Sequence, residues 1–246
     1  MVNDLMLLAG IDIPFPGAQL LIHQPTLKEI GIIGEEIFFS GCGILNFSKQ
    51  ENLSAEDRNS LANMSDFEVL MALMTMNYSE ELKQSKICAI AVLSLLFPEY
   101  EIHFQTEAIV LKKEDEIRSI NSENFEDFKE ILIAMFCLHG RGEDESSYRP
   151  GGKAAEAIAE KLKKRKQLLA EQKSGEKISV LNRFASILAI GQRQDLNEIL
   201  SYTVYQLYDQ FDRFELKDSN DIHFKAQLAG ARDLEKIDNW RKDLHP

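Results

Sequence analysis

Residues 23–39 of the 246-residue chain read HQPTLKEIGIIGEEIFF, and this stretch contains the clearest local structural signal in the sequence. Thr26 and Glu29 have the spacing of a capping box, in which the Thr hydroxyl accepts a hydrogen bond from an amide of the first helical turn and the Glu carboxylate reaches back to the Thr amide. Apolar residues then recur at helical spacing, at Leu27, Ile30, Ile33, Ile37 and Phe38. The sequence therefore predicts a helix that begins directly after Thr26.

Glycines divide this helical segment, and a short apolar stretch precedes it. Gly31 and Gly34 permit a kink or the close approach of another backbone, and Gly41 and Gly43 are expected to end the helix. Before Pro25, residues 19–24 (QLLIHQ) predict a strand.

The rest of the N-terminal half shows helix signals around a small region of strand signals. Ser54, Ser65 and Ser79 each have the position of an N-cap, and the helix after Ser79 should continue until Pro98 stops it. Strand signals then occur at residues 100–105 and 108–112, with a third short strand at 117–120, before helical periodicity returns at 125–138. A β-hairpin between helices is therefore expected near residues 100–112.

Residues 141–152 concentrate Gly, Ser, Pro and charge, which is typical of a linker. We therefore predict an acidic helical domain over 1–140, a hinge over 141–152 and a helical C-terminal region over 153–246. In that region Gly191 suits the position after a helix end and Asp195 an N-cap, and the predicted helices span 153–173, 177–190, 196–216 and 222–229. The predicted fold class is mainly α within α+β, with an N-terminal helical body, a small antiparallel hairpin and an all-helical C-terminal region.

Composition indicates a folded intracellular protein. Hydrophobic residues make up 44% and charged residues 28% of the chain, which is ordinary for a globular domain. The three cysteines form no CxxC pair, and the N-terminus lacks the basic start of a signal peptide. The longest apolar run, 87–97, has about half the length of a membrane span. We expect a cytoplasmic protein that is neither secreted nor inserted in a membrane.

Charge is distributed unevenly along the chain. Residues 1–146 contain 10 Lys and Arg against 25 Asp and Glu, a net −15, whereas 147–246 contain 18 against 15, a net +3. A strongly acidic half repels nucleic-acid phosphates, and it permits basic protein partners or self-association with the other half. The alternative interpretation is that the charge only maintains solubility.

No complete catalytic, cofactor-binding or metal-binding set occurs in the sequence. Gly151, Gly152 and Lys153 resemble part of a phosphate-binding loop, but Ser147 stands where that loop needs its first glycine and Ala154 where it needs Ser or Thr. The five histidines are scattered, without an HExxH motif, and no GxSxG elbow is present. The sequence therefore predicts a non-enzymatic protein.

Two groups of residues are candidates for partner binding. The cations Lys163, Lys164 and Lys166 fit an acidic protein surface better than a nucleic-acid duplex, and the alternative is a solvated helix face. Tyrosines are the second group, because their side chains supply a large contact area together with a hydroxyl group. The alternative to partner binding is that these tyrosines pack within the protein itself. The aromatic candidates are Tyr202, Tyr205, Tyr208 and the only tryptophan, Trp240.

Three stretches together resemble tail assembly chaperones and related tail-morphogenesis proteins of phages and prophages from Gram-positive bacteria. They are 23–39 (HQPTLKEIGIIGEEIFF), 120–138 (INSENFEDFKEILIAMFCL) and 202–246 (YTVYQLYDQFDRFELKDSNDIHFKAQLAGARDLEKIDNWRKDLHP). The resemblance lies in the general pattern of residue types in these stretches, whose order spans most of the chain. It includes no catalytic or ligand-binding motif.

The resemblance implies a helper protein of the host cytoplasm that binds the tape-measure protein, keeps its long apolar helices soluble and recruits tail-tube subunits. A homo-oligomer is compatible with this role. The chain is longer than many small members of that group, which leaves a permanent structural component of the tail, connector or baseplate as the alternative. A third hypothesis is an enzyme or nucleic-acid binder that uses 161–166 and 140–153.

Overall fold

The computed structural model describes residues 2–75, 79–138 and 180–230, together with Asn239 and Arg241. Within these ranges the helices are α1 Asp4–Ala9, α2 Leu27–Ile33, α3 Glu35–Leu45, α4 Lys49–Asn52, α5 Ala55–Ser60, α6 Asp66–Thr75, α7 Glu80–Leu96, α8 Phe125–Phe136, α9 Val180–Gln192, α10 Leu196–Ile199 and α11 Val204–Leu228. The strands are β1 Ile13–Phe15, β2 Leu20–Ile22, β3 Glu101–Phe104, β4 Ala108–Lys113 and β5 Glu116–Asn121. The predicted α+β class with helices in excess is confirmed.

The two antiparallel sheets agree largely with the sequence. The predicted hairpin is β3–β4, and β5 adds the third strand, with Ile102 opposite Leu111 and Ile109 opposite Ile120. Ile109, Leu111 and Ile120 are fully buried, as expected for one face of a period-two pattern. The sequence predicted β2 but not its partner β1, because three residues with Pro14 at the centre give almost no strand signal.

The helix after Thr26 begins as predicted. The amide and hydroxyl of Thr26 both donate to Glu29 Oε2 at 2.7 Å, and Thr26 Oγ1 accepts from the Glu29 amide at 3.3 Å. Gly34, with φ of 90°, separates α2 from α3, which is the predicted kink. The same reciprocal bonds form between Ser65 and Glu68, and Ser54 and Ser79 also cap helices.

The prediction that Gly41 and Gly43 end the helix was wrong, because α3 continues to Leu45. Gly41 faces α7, and a Cβ at this position would lie 2.4 Å from the Cys88 carbonyl oxygen and 2.5 Å from Val92 Cγ2. The missing side chain therefore lets two helices approach closely. A Cβ added at Gly43 would have no neighbouring atom within 4 Å.

A single hydrophobic cluster extends through the described part of the chain. Around α8, the Phe38 and Phe136 rings pack edge to face with centroids 4.9 Å apart, and the Phe15 ring contacts Phe128 at 5.9 Å. The same cluster includes residues of α9 and α11, so the described C-terminal helices pack on the N-terminal body. The predicted hinge 141–152 and helix 153–173 lie outside the described residues, and the proposed domain division stays a prediction.

The predicted C-terminal helix bounds need correction. The helix predicted over 196–216 is broken, since α10 ends at Ile199 and Thr203 starts α11 with a second capping box to Gln206. The helix predicted separately over 222–229 is the end of α11, because no Gly or Pro interrupts 217–221. Gly191 lies inside α9, where a Cβ would be 2.3 Å from the Phe214 ring.

Substituting the two glycines of α3 should give opposite results. Gly41→Ala places a methyl group against the α7 backbone and should destabilise the protein by about 1–3 kcal/mol, as overpacking does. Gly43→Ala is the matched control in the same helix; it should stabilise by about 0.5–1 kcal/mol because the position is open. Urea unfolding of both variants measures the difference, and equal stabilities would contradict the close approach of α3 and α7.

Candidate interaction surface

The N-terminus of α11 is fixed by a junction of two capping boxes. Thr26 and Thr203 form an isolated antiparallel bridge. The Leu27 amide donates to the Tyr202 carbonyl oxygen at 2.9 Å, and the Lys28 amide donates to the Leu200 carbonyl oxygen at 3.0 Å. These bonds satisfy amides of the first turn of α2, which have no partner within their own helix. The start of α11 is therefore held by the start of α2.

The first part of α11 is a buried element. Val204, Leu207 and Phe211, which recur at helical spacing, are buried, and Phe214 is half-buried. Phe211 stacks on Phe184 of α9 with centroids 4.0 Å apart and planes 15° apart. Leu200 precedes the helix, in the turn after α10. This part of the helix belongs to the core.

The three tyrosines proposed for partner binding take part in packing. Tyr205 is only 4% exposed, and burial, followed by the charges of Asp4 and Asp209, raises the pKa of its phenol. Tyr208 packs edge to face on Phe184 at 5.5 Å, and the Tyr202 hydroxyl lies 3.5 Å from Gln194 Oε1. Tyr202 and Tyr208 are half-buried and keep accessible surface.

The other predicted site residues, Lys163, Lys164, Lys166 and Trp240, lie outside the described residues. Their role in partner binding, like that of the three tyrosines, stays a prediction.

The distal half of α11, residues 215–228, is mostly exposed. Phe224 is 61% and Leu228 72% exposed; four residues apart, they share one helix face. Ile222 is also exposed, and its position two residues before Phe224 places it on a different face. Phe224 and Leu228 therefore have the spacing with which one apolar helix face contacts a partner helix. The sequence predicted a separate helix over 222–229, so this exposed end of one long helix was not expected; the Phe224–Leu228 spacing is the signal in the sequence that points to it.

A second feature is a cleft of about 560 Å³ between β2 and the end of α7. Asp12, His23, Leu21, Glu99 and Tyr100 contribute to its lining. Burial and the nearby Glu116 carboxylate raise the pKa of Tyr100, against the opposing influence of Lys113. The cleft combines acidic and apolar groups.

The part of the chain that the structure describes offers few groups suited to metal binding, membrane insertion or nucleophilic chemistry. There, no group of three or more His, Cys, Asp or Glu side chains could hold a metal ion, and no helix is long and apolar enough to cross a membrane. Cys42 is buried in the core, and this burial raises the pKa of its thiol, which disfavours a thiolate nucleophile.

Residues 173–245 match the family described as the YomV second domain, which is associated with phages through the Bacillus prophage protein YomV. The match includes α9, α10 and α11, and therefore the exposed distal half of α11. It supports a phage origin. The matched segment is less than a third of the 246 residues. Neither a curated protein nor a solved structure matches the chain.

Truncating one buried and one exposed phenylalanine of α11 should have different effects on stability. Phe211→Ala removes a buried ring and should destabilise the protein by about 3–5 kcal/mol. Phe224→Ala is the matched control and should change the free energy of unfolding by no more than about 0.5 kcal/mol, because its ring is exposed. Thermal or urea unfolding decides between them; a large loss for Phe224→Ala would show that this ring is buried in solution.

Proposed function

We propose that this protein is a non-enzymatic protein-binding factor in phage tail assembly, acting in the host cytoplasm as a chaperone or adaptor for the tape-measure protein and tail-tube subunits. The phage-associated match over residues 173–245 supports the phage context. The assignment to tail assembly rests on the resemblance of 23–39, 120–138 and 202–246 to tail assembly chaperones.

The observation that carries the binding role is the exposed distal half of α11. A partner helix that is itself apolar would cover the Phe224 and Leu228 side chains, and the gain would come from removing both from water. Lys217 and Asp221, which pair with each other at 3.4 Å, lie on the same side of the helix and provide polar groups beside the uncovered surface. Such a surface suits the apolar helices expected of a tape-measure protein.

Co-expression with the tape-measure protein from the same phage genome tests this proposal. The wild-type chain should co-purify with the tape-measure protein and raise its soluble yield. The double variant Phe224→Ser, Leu228→Ser should weaken binding about ten-fold or more, because two contacts of about 1 kcal/mol each are lost.

The matched control is Ile190→Ser, which removes an 82% exposed apolar side chain from α9 and should leave binding unchanged. If the wild-type chain neither co-purifies nor improves solubility, the chaperone role is wrong. Stoichiometric presence in purified virions would instead support the permanent structural component of the tail, connector or baseplate.

A further inference from the structure

His23 lies between two carboxylates on the surface next to the cleft. Its Nδ1 is 3.0 Å from Asp12 Oδ1, and its Nε2 is 3.4 Å from Glu29 Oε1. All three side chains remain partly exposed to solvent. A neutral imidazole has only one N–H donor, so the protonated ring alone can donate to both carboxylates.

Glu29 connects this histidine to the junction of α2 and α11. While Oε1 faces His23, Oε2 accepts from the Thr26 amide and hydroxyl at 2.7 Å. The two following amides, of Leu27 and Lys28, hold the carbonyl groups of the turn before α11. A change at Glu29 therefore acts on the first turn of α2, where the C-terminal helices are attached.

We propose that Asp12, His23 and Glu29 form a pH-sensitive latch that sets how firmly the first turn of α2 holds the turn between α10 and α11. The latch does not depend on the proposed tail-assembly role. It is strongest when His23 is protonated and both carboxylates are ionised, and it weakens on either side of that pH range.

On the acidic side, the contribution of Glu29 is lost. Burial alone would raise the pKa of Glu29, but the hydrogen bonds from Thr26 and the neighbouring His23 outweigh it, and the pKa lies below its ordinary 4.5. A carboxyl group with a lowered pKa stabilises the folded state above its unfolded pKa and loses that contribution as pH falls through the folded value. Protonation of Glu29 also removes the anion that His23 contacts.

On the basic side, the relevant species is the neutral His23 ring. One ring nitrogen then presents a lone pair to Asp12 or Glu29, and that contact changes from attractive to repulsive. The other titratable groups lining the cleft beside His23 are Glu99, which pairs with Lys113, and Tyr100. The second capping box, Thr203 with Gln206, has no titratable side chain.

Amide hydrogen exchange of the full chain, resolved by NMR and corrected for intrinsic rates, measures the latch directly. The protection factors of the Leu27 and Lys28 amides should be highest at an intermediate pH. They should fall about three-fold as the buffer is made strongly acidic and as it is made basic, the size expected for exposed ion pairs. The Phe128 amide, bonded to the Asn124 carbonyl oxygen in α8, is the internal reference and should change little.

Two variants test which side chain causes the fall in protection on each side of the pH profile, called its acidic and basic limbs. Glu29→Gln keeps the capping geometry, because Gln206 already fills this position in the second box, and it should abolish the acidic limb. His23→Gln should abolish the basic limb. The matched control His103→Gln removes a histidine that faces Glu101 on β3, far along the chain from the junction, and should leave the profile unchanged.

A flat profile in the wild-type protein overturns the proposal. So does a profile that Glu29→Gln and His23→Gln leave unchanged, since the dependence would then arise elsewhere. Retention of the reference protection at Phe128 in each variant shows that a lost limb is local and is not the result of unfolding.

Discussion

The meeting of two helix N-termini is the interaction on which the arrangement of the described chain depends. Helix ends leave amides without partners, and here α2 and α11 satisfy theirs with the same device, a Thr with Glu or Gln three residues later. The bridge between Thr26 and Thr203 brings the two boxes side by side. Gln206 also donates to the Leu8 carbonyl oxygen at 2.8 Å, so α1 is attached at the same place. Polar groups thus fix the direction in which α11 leaves the body.

Glycines set how closely the helices around that junction can pack. The absence of a side chain at Gly41 lets α3 lie against the backbone of α7, and at Gly191 it makes room for the Phe214 ring. Both were interpreted from the sequence as helix ends. Either role suits a residue without a Cβ, and sequence alone offers no way to choose, because the deciding neighbours are far away in the chain.

The proposed binding surface is defined by where burial stops along α11. Its first half is enclosed by α9, α8 and α1, and its second half extends past them, so that Phe224 and Leu228 remain in water. Tyr205, a candidate for partner binding in the sequence, is enclosed, in agreement with the alternative of ordinary packing. A helical period states which residues share a face, but the neighbours decide whether that face is covered. The match to a phage-associated family falls on this region.

Local chemistry alone determined the starts of most helices and the three-stranded sheet, because capping residues and period-two alternation act over a few neighbours. The boxes at Thr26, Ser65 and the cap at Ser79 were all readable in this way. The break before α11 and the exposure of its distal end were decided by tertiary structure. The break depends on contacts between residues far apart in the chain, such as Thr26 with Thr203 and Leu8 with Gln206, and the exposure depends on where the neighbouring helices stop covering α11. No local pattern encodes which distant partner is present.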